Sequence, residues 1–511
     1  MPKKVTYSRE HLEQYINSVF IETQYINLLG IPLPVDRNGS PLPLKLPLEK
    51  IFISIRAIDR STNLRRQQDE HWDLEREVAQ TNYRQLCNNL GQHLYESQFK
   101  PNGFQIPNQP TDPQVAIEKN KRLVILGAPG SGKSTLLRYI AHKHARKPNN
   151  LIPILLSLKE YATALDQDSS LSITEFALRE VTRIHSEIRS QLELAIKNEE
   201  ILWLLDGLDE TYNQASIISR QVNFLPGKTV LTSRYYGYTN IGLEDIPHYE
   251  ILPIIPEDVD KFFLHWFEVI ADARSLDSEW VKEKLDWINN QLAGKTRIKS
   301  LLSNPLMLTF LAIICSSETN AEIPLRRSDI YKRYVIDLIT TWEKEHNNNV
   351  TVSKDILLDG LFSIGWGLHF AYFGGKSQQL STKEGIIKFL RMNNGKQWGE
   401  KTGEYIDNIL TFWVNAGLID TWELNGVEYL SFRHLTFQEY SAARVLADNW
   451  INNKRSIWKF LRSRLHNPAW HEVIILMGSI LDSKQFGYLA NQLLTYKSDY
   501  ENILKRNTLL L

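Results

Sequence analysis

Four short runs along the chain, Leu123 to Leu126, Ile152 to Leu156, Ile201 to Leu205 and Thr229 to Thr232, are apolar or β-branched without polar alternation. Such runs predict strands buried on both faces of a parallel sheet. Helical patterns separate them, so residues 114–255 read as an α/β domain, a parallel sheet flanked by helices. Ligands of such sheets bind beyond the carboxyl ends of the strands. The residues there are Gly127 to Ser134, then Ser157-Leu158-Lys159, Asp206, and Ser233-Arg234. Ahead of the sheet, Leu12, Tyr15, Ile16, Val19 and Phe20 recur at helical spacing, which predicts a helix over 9–29 ending at Gly30. A proline-rich turn follows. Ile51, Ile53 and Ile55 then alternate with other residues as a half-buried strand does, residues 66–98 read as helical, and Pro101 to Pro113 reads as a connector. From Pro256 onward helical, tryptophan-rich patterns dominate. One exception is Asn425-Gly426 between Gly417–Asp420 and Val427–Phe432, a hairpin signal. Helices followed by a small hairpin predict a winged-helix domain. The expected division is a mostly helical N-terminal region with a short strand and a linker (1–113), the α/β domain (114–255), a helical domain (256–350), the winged-helix domain (351–447) and further helices (448–511).

A chain of 511 residues exceeds one core, and Lys plus Arg equals Asp plus Glu at 59 each. No global field draws it to nucleic acid or to an anionic surface, so there is no strong nucleic-acid signal. Cys87 and Cys315 stand far apart, which fits a reducing compartment and predicts neither a disulfide nor a cysteine metal site. His142 and His144, two apart, face different sides of a helix and predict no zinc site. Met1 to Arg9 has no apolar signal segment behind it, and the longest apolar stretch, Leu306 to Cys315, is half a membrane span. A cytoplasmic protein without a membrane span is expected.

The segment Gly127-Ala128-Pro129-Gly130-Ser131-Gly132-Lys133-Ser134, with Thr135 opening the helical pattern, is a phosphate-binding loop between strand and helix. Glycines let successive N–H groups turn inward, and the start of the helix adds partial positive charge. Lys133 can reach the β and γ phosphates, and the Ser134 hydroxyl can ligate Mg²⁺. Ile201 to Glu210 is a second nucleotide signature, a buried strand delivering Asp206 to the metal side. Gly207 leaves room beside the phosphates, Asp209 and Glu210 are placed to orient or deprotonate a water, and Arg234 can sense or stabilise the γ-phosphate.

With these residues the chain resembles the NACHT family of signal-transduction P-loop NTPases, over nearly everything after Lys121. The resemblance rests on Asp206-Gly207-Leu208-Asp209-Glu210, Thr232-Ser233-Arg234, Asn304-Pro305-Leu306-Met307-Leu308, and Phe432-Arg433-His434-Leu435-Thr436-Phe437-Gln438-Glu439-Tyr440. It implies ATP and ADP with Mg²⁺ as ligands, Pro305 packed near the base, and His434 as a latch on the β-phosphate of ADP. Glu439 and Tyr440 are expected to cap and pack the helix that follows. The family likeness further implies a switch that opens on a trigger, such as a phage or other foreign component, self-associates, and hydrolyses ATP slowly as a reset. Because members of the family usually continue into a sensor, the apolar end Leu509-Leu510-Leu511 is expected to mark either a very small sensor or the front part of a longer protein, and its leucines favour the second. Two other functions fit parts of the pattern: a P-loop remodelling ATPase, and a nucleic-acid-binding regulator using the winged helix.

Overall fold

The computed structural model describes residues 10–26, 46–60, 110–146, 151–211, 214–234, 238, 242–293, 298, 301–317, 323–324, 326–345, 352–373 and 381–496. The helical reading of 66–98, Cys87, most of the connector before residue 110 and the apolar end lie outside these residues.

Helix α1 (Glu10–Thr23) is shorter than its pattern, because the chain at Tyr25–Ile26 (β1) pairs with Leu46–Pro47 (β2). Its buried Leu12, Tyr15 and Val19 join the core of the α/β domain, and the Tyr15 hydroxyl donates to the Pro153 carbonyl at 3.0 Å. The strand expected over Ile51 to Ile55 is displaced. Residues Leu48–Ile51 form one helical turn (α2), the chain then runs extended, and pairing begins only at Ala57–Asp59 (β3). The partner edge admits just three residue pairs, Ala57 with Ile251 to Asp59 with Tyr249, and these fix where the strand can form.

Helix α3 (Pro113–Lys119) leads into β4 (Arg122–Leu126), α4 (Lys133–Arg146), β5 (Ile152–Ser157), α5 (Leu158–Gln167), α6 (Ile173–Ile184), α7 (Arg189–Lys197), β6 (Ile201–Asp206), α8 (Ala215–Val222), β7 (Lys228–Ser233) and β8 (His248–Ile251). The six-stranded sheet has the order β3-β8-β4-β7-β6-β5, parallel except for β3, so its edge strand comes from the segment before residue 60. All four predicted strands are present. Their centres are almost fully buried, as continuous apolar runs require.

Helices α9 (Pro256–Arg274), α10 (Ser278–Leu292), α11 (Pro305–Ser317), α12 (Arg327–Glu345), α13 (Lys354–Phe373), α14 (Lys383–Trp398) and α15 (Thr402–Asn415) follow. Next come β9 (Ile419–Leu424) and β10 (Val427–Phe432), paired antiparallel. Their turn holds Asn425 at φ 51° and Gly426 at φ 78°, the two left-handed positions of a tight hairpin. Helices α16 (Leu435–Asn452), α17 (Lys454–Arg462), α18 (Pro468–Ile480) and α19 (Ser483–Thr495) complete the described chain. Among the described residues no helix is long and apolar enough to cross a membrane.

Two cores result, one around the sheet and one through the helices. Residues 46–57 join them: Leu46 and Ile51 are buried in the helical core, Ile55 and Ala57 in that of the sheet. The hairpin also meets the sheet domain, where Gln167 at the end of α5 donates to the Tyr429 hydroxyl at 3.0 Å and accepts from Asn425 at 2.6 Å.

Candidate functional site

The loop from Gly127 to Ser134 bridges β4 and α4 at the carboxyl edge of the sheet. Gly130 (φ 72°) and Gly132 (φ 89°) hold left-handed conformations, which side chains disfavour and which turn backbone N–H groups to one side. The loop is also crowded from outside. A Cβ on Gly130 would stand 2.8 Å from Asn304 Oδ1 and 2.9 Å from Leu306 Cβ, and one on Gly132 would stand 3.2 Å from Ile55 Cδ1 and 3.6 Å from Pro305 Cγ. Asn304 Nδ2 donates to the Pro129 carbonyl at 2.8 Å, and the Leu306 N–H donates to the Gly130 carbonyl at 3.1 Å. The same asparagine caps α11, its Oδ1 accepting from the N–H groups of Leu306 and Met307. Asn304 therefore clasps the loop to the helical half. Pro305 lies against the loop at Gly132.

Lys133 folds onto the loop, its Nζ donating to the carbonyls of Gly127 at 2.9 Å and Ala128 at 3.1 Å. Burial pushes its ammonium down to about 8, Asp209, Asp206 and Glu210 resist that, and Arg234 adds to it. The Ser131 hydroxyl is buried without a hydrogen-bond partner. A cation short of a matching anion, an orphaned hydroxyl and a glycine cradle together fit a polyphosphate. Ser134 is exposed at the start of α4, so its hydroxyl is open to a metal on the phosphates. Ala128 and Pro129 contribute loop backbone, and Thr135 continues the first turn of α4.

Asp206 ends β6, and its Oδ1 accepts from Thr232 Oγ1 on β7 at 2.6 Å. That threonine also accepts from the Gly207 N–H at 3.0 Å, which fixes the turn after the strand. Asp209 and Glu210 occupy the short turn beyond. Burial raises the pKa of Glu210, the Lys159 ammonium opposes it, and Asp209 adds to it, so Glu210 holds a proton more readily than a free carboxyl does. Lys159, two residues beyond Ser157, is itself buried.

Arg234 is gripped from two sides. Its backbone N–H donates to Asp209 Oδ1 at 2.8 Å and its Nε lies 3.1 Å from Asp209 Oδ2, while Nη1 lies 2.5 Å from Glu439 Oε1 on α16. Its side chain is 16% exposed and that of Glu439 only 3%, so this ion pair is largely shielded from screening water. Burial alone would lower the guanidinium pKa, but Glu439 and Asp209 outweigh it and hold the charge. Contrary to expectation, Glu439 does not cap the helix. His434 occupies the N-cap of α16, and Glu439 lies inside the helix facing the sheet domain rather than capping anything. Tyr440 does pack, stacking on Tyr331 with ring centroids 5.3 Å apart.

His434 is exposed at the end of the hairpin, and its imidazole makes no hydrogen bond within the described residues. Desolvation by the surrounding protein, with the neighbouring Arg433 guanidinium, lowers its pKa against the pull of Asp420, which favours the neutral ring. A neutral imidazole can still donate one N–H.

The loop, Asp206, Asp209, Glu210 and Arg234, all expected from sequence, converge at one sheet edge. The Asn304 clasp was not among those expectations, although an asparagine before a proline that opens a helix is a visible capping signal. Glu439 carried no such signal, because its partner lies 205 residues away. No curated protein matches the chain. Residues 121–269 match the family model of the NACHT domain. That span runs from β4 through the loop, Asp206 and Arg234 into α9, and the chain thus contains a NACHT domain, the nucleotide-binding module of a family of P-loop NTPases.

Proposed function

We propose that this chain is a nucleotide-operated signalling switch whose closed form holds ADP. The observation that carries this reading is the buried Arg234–Glu439 pair. Arg234 directly follows a core strand beside the phosphate loop, where a γ-phosphate would need a cation, and in this conformation the cation is committed to a carboxylate of the helical half. ATP competes with Glu439 for Arg234; ADP does not. Differential affinity of the nucleotides for the two conformations is the energy source of such a switch.

In this reading the loop N–H groups and Lys133 hold the phosphates, with Ser134 and Asp206 on the Mg²⁺. Asp209 and Glu210 position a water for slow hydrolysis of the γ-phosphate, releasing phosphate and leaving ADP. Pro305 meets the base, and His434 donates to the β-phosphate and keeps the hairpin domain in place. Helices α13 to α15 with the β9–β10 hairpin support a winged-helix domain over 351–447, between a helical domain (256–350) and a further helical unit (448–511). Opening frees surfaces for self-association. The proposed setting, cytoplasmic anti-phage defence triggered by a foreign component, rests on family likeness.

The test is to identify the nucleotide released on denaturing protein purified without added nucleotide. ADP is expected from the native chain and none from Lys133→Ala. A native chain that emerges empty and fails to bind either nucleotide on titration refutes the reading.

A further inference from the structure

Glu439 faces a second arginine as well as Arg234. Arg327, at the start of α12, pairs through Nη1 with Glu472 Oε1 on α18, and its Nη2 donates to the Tyr331 hydroxyl at 3.3 Å. Two polar atoms of this group have no hydrogen-bond partner although both are buried: Arg327 Nε and Glu439 Oε2. Arg327 and Glu439 also feel one another electrostatically, the guanidinium favouring the ionised carboxylate and the carboxylate favouring the charged guanidinium. The charges therefore alternate from the sheet edge into the C-terminal helices, through Asp209, Arg234, Glu439, Arg327 and Glu472. Glu439 and Glu472 are both almost fully buried and repel each other, Glu472 helping to raise the Glu439 carboxyl to about 7. Burial is the larger cause of that rise.

If Arg234 leaves, two buried carboxylates remain beside one arginine. An ionised carboxylate cannot stay buried without a cation or a proton. We propose that Glu439 passes from Arg234 to Arg327 when the switch opens, so that Arg327 is the positioning residue that receives it and Glu472 is the carboxylate whose share of Arg327 is reduced. The exchange carries the nucleotide state from the sheet edge to α18, an element that does not contribute to the phosphate site. The receiving Nε and the waiting Oε2 are both buried and without a hydrogen-bond partner in this conformation, so each has a free bonding position for the exchange. The inference rests on the switch reading above and adds to it the group that accepts Glu439.

The opposed signs of two substitutions test it. Glu472→Gln removes the competitor for Arg327. The repulsion it relieves is greater in the open form, where Arg234 no longer shields Glu439, so affinity for a non-hydrolysable ATP analogue relative to ADP rises by about three- to tenfold. Adding Arg327→Met to Glu472→Gln removes the receiving cation together with the charge it faces on α18, so the ratio falls below that of the native chain. In a Glu439→Gln background neither change moves the ratio, an outcome that mere packing damage would not give. The measurement is calorimetric titration of the full chain with each nucleotide and Mg²⁺. If Glu439→Gln shifts the ratio but Glu472→Gln does not, or if the effects persist without the Glu439 charge, the exchange is refuted and the latch survives. If Glu439→Gln is itself silent, latch and exchange fall together.

Discussion

Replacing Glu439 with glutamine keeps the shape of the side chain and removes its charge, leaving Arg234 only Asp209, whose Oδ2 lies 3.1 Å from Nε. Because that partner remains, the guanidinium is not stranded. The loss is that of one charge-assisted hydrogen bond, about 1.5–3 kcal/mol, rather than the roughly 3–5 kcal/mol of a buried pair broken outright. At 1.4 kcal/mol per tenfold, and with part of the loss offset by the pairing to Arg327 that the open form also forfeits, affinity for an ATP analogue relative to ADP rises by at most about 10- to 150-fold. The effect depends on pH. Burial raises the Glu439 carboxyl to about 7 in the closed form against the opposing pull of Arg234, and Arg327, which is shared with Glu472, replaces that pull only in part once Arg234 leaves. The closed form thus binds fewer protons at this site than the open form, so the contribution of the bridge grows as pH rises past 7 and fades below it. Titrations at pH 8 and pH 6 should show a large effect of Glu439→Gln at the first and a small one at the second. An unchanged ratio at pH 8 refutes the reasoning, as does an effect that grows on acidification.

Four further outcomes are expected. Lys133→Ala weakens binding of both nucleotides by at least ~100-fold, without lowering the Tm of the nucleotide-free protein, because burial has already pushed the ammonium down to about 8; calorimetry and a thermal melt check both. His434→Ala weakens ADP by about tenfold and leaves the ATP analogue untouched. Asn304→Ala loses both the clasp on Pro129 and the cap of α11, costing about 1–2 kcal/mol of stability and speeding ADP release in a fluorescent-nucleotide chase. Gly130→Ala meets both a left-handed backbone and Asn304 Oδ1, and a thermal melt should show a loss of at least ~1 kcal/mol.

Much of the nucleotide site was legible because its parts are local. The strands before the loop and before Asp206 are unbroken apolar runs, and the loop glycines sit where the backbone must turn. β8 escaped because His248-Tyr249-Glu250-Ile251 mixes polar with apolar residues. Its histidine is buried all the same, bonded to the Tyr238 hydroxyl at 2.7 Å and to the Ile246 carbonyl at 2.7 Å, and burial pushes its pKa down to about 4. The edge strand at Ala57–Asp59 is three residues long and forms only against β8, so local alternation at Ile51 to Ile55 pointed slightly too early. The hairpin was readable from Asn425-Gly426, yet its docking on Gln167 was not. Glu439 looks like any residue of an amphipathic helix until the fold brings Arg234 to it. Contacts that close the two halves on each other join residues 175 and 205 positions apart, and no local pattern encodes them.

The central claim is that nucleotide sets the spacing between the sheet domain and the hairpin-bearing half. Spin labels at Ile184 and Met392, which are 67% and 83% exposed, would report that distance after Cys87 is replaced, since Cys315 is buried and will not label. Pulsed dipolar spectroscopy should give one narrow distance with ADP and Mg²⁺, and a second, longer population with a non-hydrolysable ATP analogue that Glu439→Gln enlarges. The same single distance with both nucleotides, in native chain and variant alike, would contradict the account.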